Sequence, residues 1–490
     1  MGKSLKSVFL SGTMWTAAEN VIFTVLGIVQ LAITSRILSS TDFGVYAIAV
    51  FFTGLGTIAF SMGLGPALVQ KKGDIKDYLD TAWSANLLAS IVATIVLEFL
   101  IFPICTYYYH NEEGVLPSMV IMLSVIFSAG QNPAIAYFQK EIKLKKYFYL
   151  KVFPKILSFV LVVVSVYYMK SYWGLIIALL SEYLFRLIYS FFVYPYKVKF
   201  VIDKDKFYEL YRFGGWLQLK NITSWFATNI DVAIVGNVLG TASLGLYNRA
   251  QTIAGYPRTF VTGVIDNVAF PLYAQITDDR VDHVLSQIQN IVMYLLSMMC
   301  IVVVLYAKPI VLLVLGSTWV EMVEPFKIIF VSYVFQTLLF SFNPLLRAYG
   351  FTKQEFRFYT IKMLVMIGLL YPLTYWYGLI GAGISILLAV ICVFPYLFYT
   401  IKKLTHVELR QIFYSFGISL FVSFITVGVF MYIPDFDGFW WVLEMFIAIT
   451  FASFFYFLLA LILKKGPGLR QLFCRTAELQ PAAAGQQRQL

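Results

Sequence analysis

Charge is what this chain has least of. Only 13% of its 490 residues are Asp, Glu, Lys or Arg, against roughly a quarter in soluble domains, so most of its surface cannot face water. Acids are the scarcer kind, 26 against 37 bases. The net charge of +11 would suit a nucleic-acid binder, but 60% apolar residues and a mean hydropathy of +0.78 exclude that class, along with cytosolic enzymes and disordered chains. Cysteine is also sparse: Cys105, Cys300, Cys392 and Cys474 lie far apart and imply no disulfide framework. The three histidines, His110, His283 and His406, have no ligand spacing, so no metal site is expected. No nucleophile with its base, nucleotide loop or ATP-binding motif is visible, and the expectation is a non-enzyme without a cofactor.

What the chain has instead is apolar length. A membrane-crossing helix needs about 20 mostly apolar residues, and that ruler finds fourteen stretches: 8–34, 43–66, 80–103, 115–138, 148–169, 172–195, 213–238, 250–274, 286–306, 326–346, 357–377, 379–400, 411–433 and 439–463. The first is too long for a signal peptide and lacks a cleavage site, so it reads as a retained helix. Lys308 to Gly316 is too short to span and reads as an interfacial extension. The expected class is an all-α polytopic membrane protein with fourteen transmembrane helices.

Basic residues test this reading independently. With the N-terminus inside, one side receives Lys3, Lys6, Lys71, Lys72, Lys76, Lys140, Lys143, Lys145, Lys146, Lys151, the cluster Lys197 to Arg212, Arg280, Arg347 to Lys362, Lys402, Lys403, Arg410 and the bases of the C-terminal tail. The other receives only Arg36, Lys170, Arg249, Lys308 and Lys327. The positive-inside rule then puts both termini in the cytoplasm and requires an even number of crossings. Beyond Lys465 the chain turns to Gly-Pro-Gly and Pro481-Ala-Ala-Ala-Gly-Gln-Gln, and 466–490 reads as a disordered cytoplasmic tail.

Sliding the chain by 201 positions reveals a repeat: Trp15 falls on Trp216, Asn20 on Asn221, Leu38 on Leu239, Gly44 on Gly245 and Tyr46 on Tyr247. The offset covers six crossings, so both halves run the same way through the bilayer, as in transporters with a central site between parallel repeats. The domains expected are an N-lobe at 1–200, a C-lobe at 201–405 and two appended spans at 406–465.

Asn229-Ile-Asp231-Val-Ala-Ile-Val-Gly236, with Leu239-Gly240, Leu244-Gly245-Leu-Tyr247, Ala250, Pro257 and Pro271-Leu-Tyr-Ala-Gln275, resembles the Wzx-type polysaccharide exporters of the multidrug, oligosaccharidyl-lipid and polysaccharide superfamily. Arg36-Ile-Leu, Phe43-Gly44-Val-Tyr46 and Ala67-Leu-Val-Gln70 carry the same likeness. The resemblance implies two six-helix lobes around a central cavity, plus two extra helices. It also implies flipping of an undecaprenyl-diphosphate-linked oligosaccharide from the cytoplasmic to the periplasmic leaflet of the bacterial inner membrane. Its implied partners are that lipid-linked oligosaccharide, membrane lipids and other polysaccharide assembly proteins, with coupling to a proton or sodium gradient. A multidrug cation antiporter and a membrane glycan polymerase are the alternatives. The first would line its cavity with acids, and the second would need a large outer loop.

Ionisable groups at membrane depth cost at least ~2.5 to 3.5 kcal/mol each, so they face water or a partner. Glu19 and Gln30 share a face of the first span, eleven residues apart, and their repeat mates Lys220 and Asp231 do so on the seventh. Glu19 and Lys220 either line the axis between lobes or pair with each other. The diphosphate implied by the resemblance makes Lys220, Arg258, Arg249 and Arg36 a candidate ladder for its oxygens, with Asn20, Asn221 and Gln30 beside it. Arg258 could instead bridge to Asp266, and Arg36 could snorkel to the surface. Glu19, Asp231 and Asp266 are the candidate ion-coupling carboxylates, and Pro257 is a candidate hinge. Glu182 and Arg186, four apart, read as a self-compensating helix pair.

Overall fold

The computed structural model describes residues 5–275, 281–349, 351–405, 410–431 and 440–462. Among these the regular structure is helical: α1 (Leu5–Ser35), α2 (Ser40–Phe60), α3 (Leu64–Gln70), α4 (Lys76–Pro103), α5 (Val115–Ile121), α6 (Leu123–Ala129), α7 (Ala136–Lys140), α8 (Leu144–Met169) and α9 (Trp173–Val193). The chain continues through α10 (Lys204–Gln275), α11 (Val281–Val314), α12 (Val323–Phe340), α13 (Asn343–Ala348), α14 (Thr352–Ile391), α15 (Phe394–Thr405), α16 (Arg410–Phe430) and α17 (Trp441–Ile462). The expected connection around Arg280 and the tail 466–490 lie outside the described residues.

Eleven helical stretches are long and apolar enough to cross a membrane, which makes this a multi-pass membrane protein. Two of them, Gln218–Gly263 and Lys353–Lys403, bend at glycines in backbone conformations that side chains resist: Gly240 (φ 79°, ψ 175°) and Gly378 (φ 60°, ψ −140°). Fourteen crossings require both bent stretches to cross twice and the shorter apolar helix Phe416–Phe430 to cross as well. Lys308 to Val314 is a continuation of α11 past a bend at Tyr306, three residues before Pro309.

The span expected at 115–138 is broken, because α5 and α6 meet at Met122 and α6 ends at Gly130. Asn132, 1% exposed, ties the chain after that break to the end of α9. Its side-chain amide donates to the carbonyls of Ser190 and Tyr194 while its Oδ1 accepts from Ala134 N at 3.0 Å. The start of α2 is fixed by a reciprocal cap: Ser39 Oγ accepts from Asp42 N and Asp42 accepts from Ser39 N. Asp42 also accepts from Tyr172 N at 3.1 Å, joining that cap to the α8–α9 hairpin. The hairpin closes because Gly174 sits against Val166 and because Ser158 and Ser165 donate to the Ala178 and Gly174 carbonyls.

The chain forms two compact units. One comprises Met1–Tyr256, Val311–Ser332 and Phe356–Cys392; the other comprises Pro257–Ile310, Tyr333–Glu355 and Val393–Leu490. The first contains α1 to α9 and the first part of α10. In the second, Gln289 and Ser341 share a buried hydrogen bond of 2.8 Å, Tyr294 meets Ser453 at 2.9 Å, and Arg347 holds the 1%-exposed Glu355 through two nitrogens.

Along the first unit, α2 runs beside the first half of α10. Gly54 takes the Trp225 ring, Ser61 donates to Gln218 Oε1 at 2.6 Å, and Gly63 lies on the backbone of Gly214. Just beyond α3, Lys71 pairs with Glu209, which also accepts from Tyr78 at 2.6 Å. Tyr137 donates to Asp74.

Two predictions follow from these contacts. Gly240→Ala forces a side chain into a conformation costing about 1 to 3 kcal/mol; it should lower the thermal unfolding midpoint in detergent, whereas Gly368→Ala, with open space around it, should not. The Lys71 hydrogen bond holds the Glu209 carboxyl below its ordinary range, and the Tyr137 hydroxyl does the same for Asp74. Carboxyls depressed in this way stabilise the fold above the ordinary carboxylate range and lose that contribution as pH falls through their folded values. Amide exchange in α3 should therefore accelerate on acidification below about pH 4, and a Glu209→Gln variant should show less of that acceleration.

Candidate functional site

The site grows from cations that the first unit holds at membrane depth. Lys151 and Lys155, one turn apart on α8, lie about 10 and 16 Å along the helix from its first residue at 1.5 Å per residue. Lys151 pairs with Glu19 of α1 at 2.8 Å and lies 4.5 Å from the Tyr147 ring centroid. Glu19 therefore pairs with α8 and not with Lys220. Lys155 pairs with Glu182 of α9 at 2.8 Å, and Arg186 reaches the other oxygen of the same carboxylate at 2.7 Å. The expected Glu182–Arg186 pair is present, but a third member makes it cationic, and the Arg186 Nε is buried with no hydrogen-bond partner among the described residues.

Arg249 of α10 extends this surplus. It is 7% exposed, and its guanidinium lies 3.8 Å over the Phe43 ring of α2. It also donates to Asn248 Oδ1 at 3.4 Å, and its Nε has no hydrogen-bond partner among the described residues. Tyr46 lies in the fields of both Arg249 and Glu182, so the two cation groups belong to one neighbourhood. Among the described residues Lys151 pairs with Glu19, Lys155 and Arg186 pair with Glu182, and Arg249 makes no ion pair, so these four cations meet two carboxylates. The excess of two positive charges equals the charge of a diphosphate diester, with one negative charge per phosphate. A guanidinium N–H without a partner is a donor able to make a charge-assisted bond to an anion.

The remaining expected residues are dispersed. Arg36 donates to the Leu313 carbonyl at 2.7 Å, beside Trp319, whose indole N–H donates to Ser35 O at 2.8 Å. Arg258 belongs to the second unit, its guanidinium 5.0 and 4.8 Å from the Tyr333 and Phe340 rings. Asn20, Gln30, Lys220 and Asn221 are half-buried. Asp231, 1% exposed, accepts from Tyr247 Oη at 2.7 Å and from Gln251 Nε2, and Lys362 acts on it by charge. The Asp266 and Trp216 side chains lie outside the described residues. Pro257 marks the boundary between the units within α10.

Two cations escaped the sequence reading, Lys155 and the buried role of Lys362, which is 2% exposed ten residues into α14 rather than in a connection. The signal for Lys155 was present: a second lysine one turn beyond Lys151, inside an apolar run.

Helices bent at glycines, stacked through broken spans and carrying paired charges at depth define a transporter-like membrane fold. A polysaccharide biosynthesis protein family model matches residues 33–324, and the chain belongs to that family. It is similar to the lipopolysaccharide biosynthesis protein WzxC of Escherichia coli (strain K12), 24% identical over 441 residues and 87% of each chain. It is also similar to the succinoglycan biosynthesis transport protein ExoT of Rhizobium meliloti (strain 1021), 23% identical over 327 residues and 66% of each. Its fold matches the lipid II flippase MurJ in an inward closed conformation with a TM-score of 0.74 at 14% identity, covering 92% of this chain and 99% of that one.

Glu182 is the anion on which two cations depend. Removing it should cost about 1 to 3 kcal/mol, less than the ~3 to 5 kcal/mol for breaking a fully buried pair, because all three side chains keep some exposure. Lys155→Met leaves Glu182 with Arg186 and should cost less. Thermal unfolding in detergent should rank Glu182→Ala below Lys155→Met.

Proposed function

We propose that this protein flips an undecaprenyl-diphosphate-linked oligosaccharide repeat unit from the cytoplasmic to the periplasmic leaflet of a bacterial inner membrane, by alternating access and with both termini in the cytoplasm. The observation that carries the proposal is the cluster of Lys151, Lys155, Arg186 and Arg249, which outnumbers its carboxylates Glu19 and Glu182 by two and holds guanidinium Nε atoms that have no hydrogen-bond partner among the described residues. A lipid-linked diphosphate brings negative charge to membrane depth and needs that compensation. A cargo of organic cations would be repelled by it. Family membership and the MurJ-like fold support the same reading.

In this scheme Arg249, Arg186 and Lys155 receive the diphosphate oxygens, while Glu182 and Glu19 keep the cations in place when no cargo is bound. Ion coupling belongs to Asp231. Its hydrogen-bond partners Tyr247 and Gln251 are neutral donors, whereas Glu19 is held directly by Lys151. Membrane lipids and other polysaccharide assembly proteins are the remaining partners of the scheme.

The test is deletion of the gene and analysis of lipid-linked intermediates. One repeat unit should accumulate facing the cytoplasm, and the wild-type gene should clear it. Arg249→Ala should restore export about tenfold less well or worse, since a hydrogen bond to a charged group contributes about 1.5 to 3 kcal/mol. Arg249→Lys should fall between, keeping charge without the planar fork. Full export from Arg249→Ala at normal membrane abundance would reject the assignment.

A further inference from the structure

The 201-residue offset is written into one contact of the first unit. A methyl group at Gly44 would overlap the carbonyl oxygen of Thr241 and come within 2.7 Å of its carbon. A methyl at Gly245 would overlap the carbonyl oxygen of Ser40, lie 2.7 Å from its carbon and sit 3.0 Å from Gly44 N. Gly44 and Gly245 are repeat mates, and so are Ser40 and Thr241. Each glycine therefore rests on the carbonyl that is the repeat mate of the other's carbonyl, as in a two-fold self-complementary interface.

Polar ties surround the contact. Asn111 donates to Thr241 Oγ1 at 2.6 Å, Asn237 donates to the Tyr108 carbonyl, and Arg36 and Trp319 bind the carbonyls of Leu313 and Ser35. Phe43, next to Gly44, packs on Trp319 at 5.4 Å and carries Arg249 at 3.8 Å on its face. Arg249 stands one helical turn after Gly245. The glycine contact and the cation–ring contact thus bridge the same seam between α2 and α10.

We propose that this seam is a clasp whose opening also switches Arg249 from a ring-covered cation to an available receptor for a phosphate oxyanion. Parting Gly44 from Gly245 carries Phe43 away with one side and Arg249 with the other, so the guanidinium is uncovered by the movement that opens this end of the protein. This rests on the alternating-access reading for its purpose. The clasp itself is tested without any cargo.

Cysteines placed at the exposed repeat mates Thr41 and Ala242 (Thr41→Cys, Ala242→Cys), in a chain whose native cysteines are replaced by alanine, allow a short reducible bis-methanethiosulfonate linker to hold the seam shut. Phenylglyoxal modification of Arg249, read by peptide mass spectrometry, reports its availability, with exposed Arg212 as reference. The linked protein should modify Arg249 at least tenfold more slowly than the same protein after reduction, with Arg212 unchanged. Export in cells should stop with the linker and return on reduction. Gly44→Ala and Gly245→Ala should each raise the Arg249 rate severalfold without the linker.

Equal Arg249 rates with and without the linker would overturn the proposal, as would alanine variants that leave both that rate and export at native levels. If an alanine variant does not fold, the linked protein with native glycines decides. A linker that slows Arg249 modification while a lipid-linked repeat unit never accumulates on gene deletion would keep the clasp and refute the flippase reading.

Discussion

A cation in hydrocarbon must have a partner or water, and that requirement organises the first unit. An unpaired charge costs at least ~2.5 to 3.5 kcal/mol at the bilayer centre on insertion scales and more by other measures. Four cations with two carboxylates can be accommodated only where the helices leave room for water or for an incoming anion. The carboxylates are arranged accordingly: Glu182 is shared by two cations from two helices, and Glu19 crosses from α1 to α8 to reach Lys151. Arg249 follows a different solution. It is covered by the face of Phe43, whose ring quadrupole compensates a desolvated guanidinium by on the order of 2 kcal/mol. That is less than an ion pair supplies, and it is directional, so a modest movement of α2 withdraws it.

The same helices solve a second problem, which is how backbones separate and rejoin. Within the bilayer no water competes for exposed peptide groups, so close backbone approach is available only where side chains are absent. Gly44, Gly245 and Gly63 provide it along the α2–α10 seam. Larger residues at Gly44 and Gly245 would hold the helices apart, since a methyl there would overlap the Thr241 and Ser40 carbonyls.

Much of this was legible before any coordinates. Apolar runs of membrane length and the pairing of Gly44 with Gly245 depend on local composition or on like residues at a fixed offset, and a sequence displays both. The Glu182–Arg186 pair was legible because its spacing is helical. Glu19 was harder: its partner Lys151 lies on another helix, and the depth of a lysine near a span's edge depends on where that helix starts, which is Leu144 and not 148. Lys362 was misplaced for the same reason, since α14 starts at Thr352 and draws it into the buried region. The Phe43–Arg249 contact had no sequence signal, because an aromatic beside an arginine on paper is a common coincidence. Arg258 illustrates the converse, a residue of the right chemistry and depth whose aromatic neighbours Tyr333 and Phe340 come from a distant helix.

The two ends of the α2–α10 seam differ in kind. At the Ser40 end the contact is glycine on carbonyl, and the repeat supplies it twice, through Gly44 and Gly245. At the Gly63 end the tie is Lys71 to Glu209 with Gly63 on Gly214, and moving those positions by 201 residues gives Leu272, Val8, Val264 and Thr13, which can reproduce neither the ion pair nor the glycine contact. Van der Waals and backbone contacts buried among helices respond little to ionic strength, whereas a partly exposed ion pair weakens as salt rises. One end is thus held by shape and shared by both halves of the repeat. The other is held by a charge pair that belongs to a single register. A protein that must open its ends in alternation gains from that difference, because a change in local charge at the Lys71 end can weaken one closure while leaving the other intact.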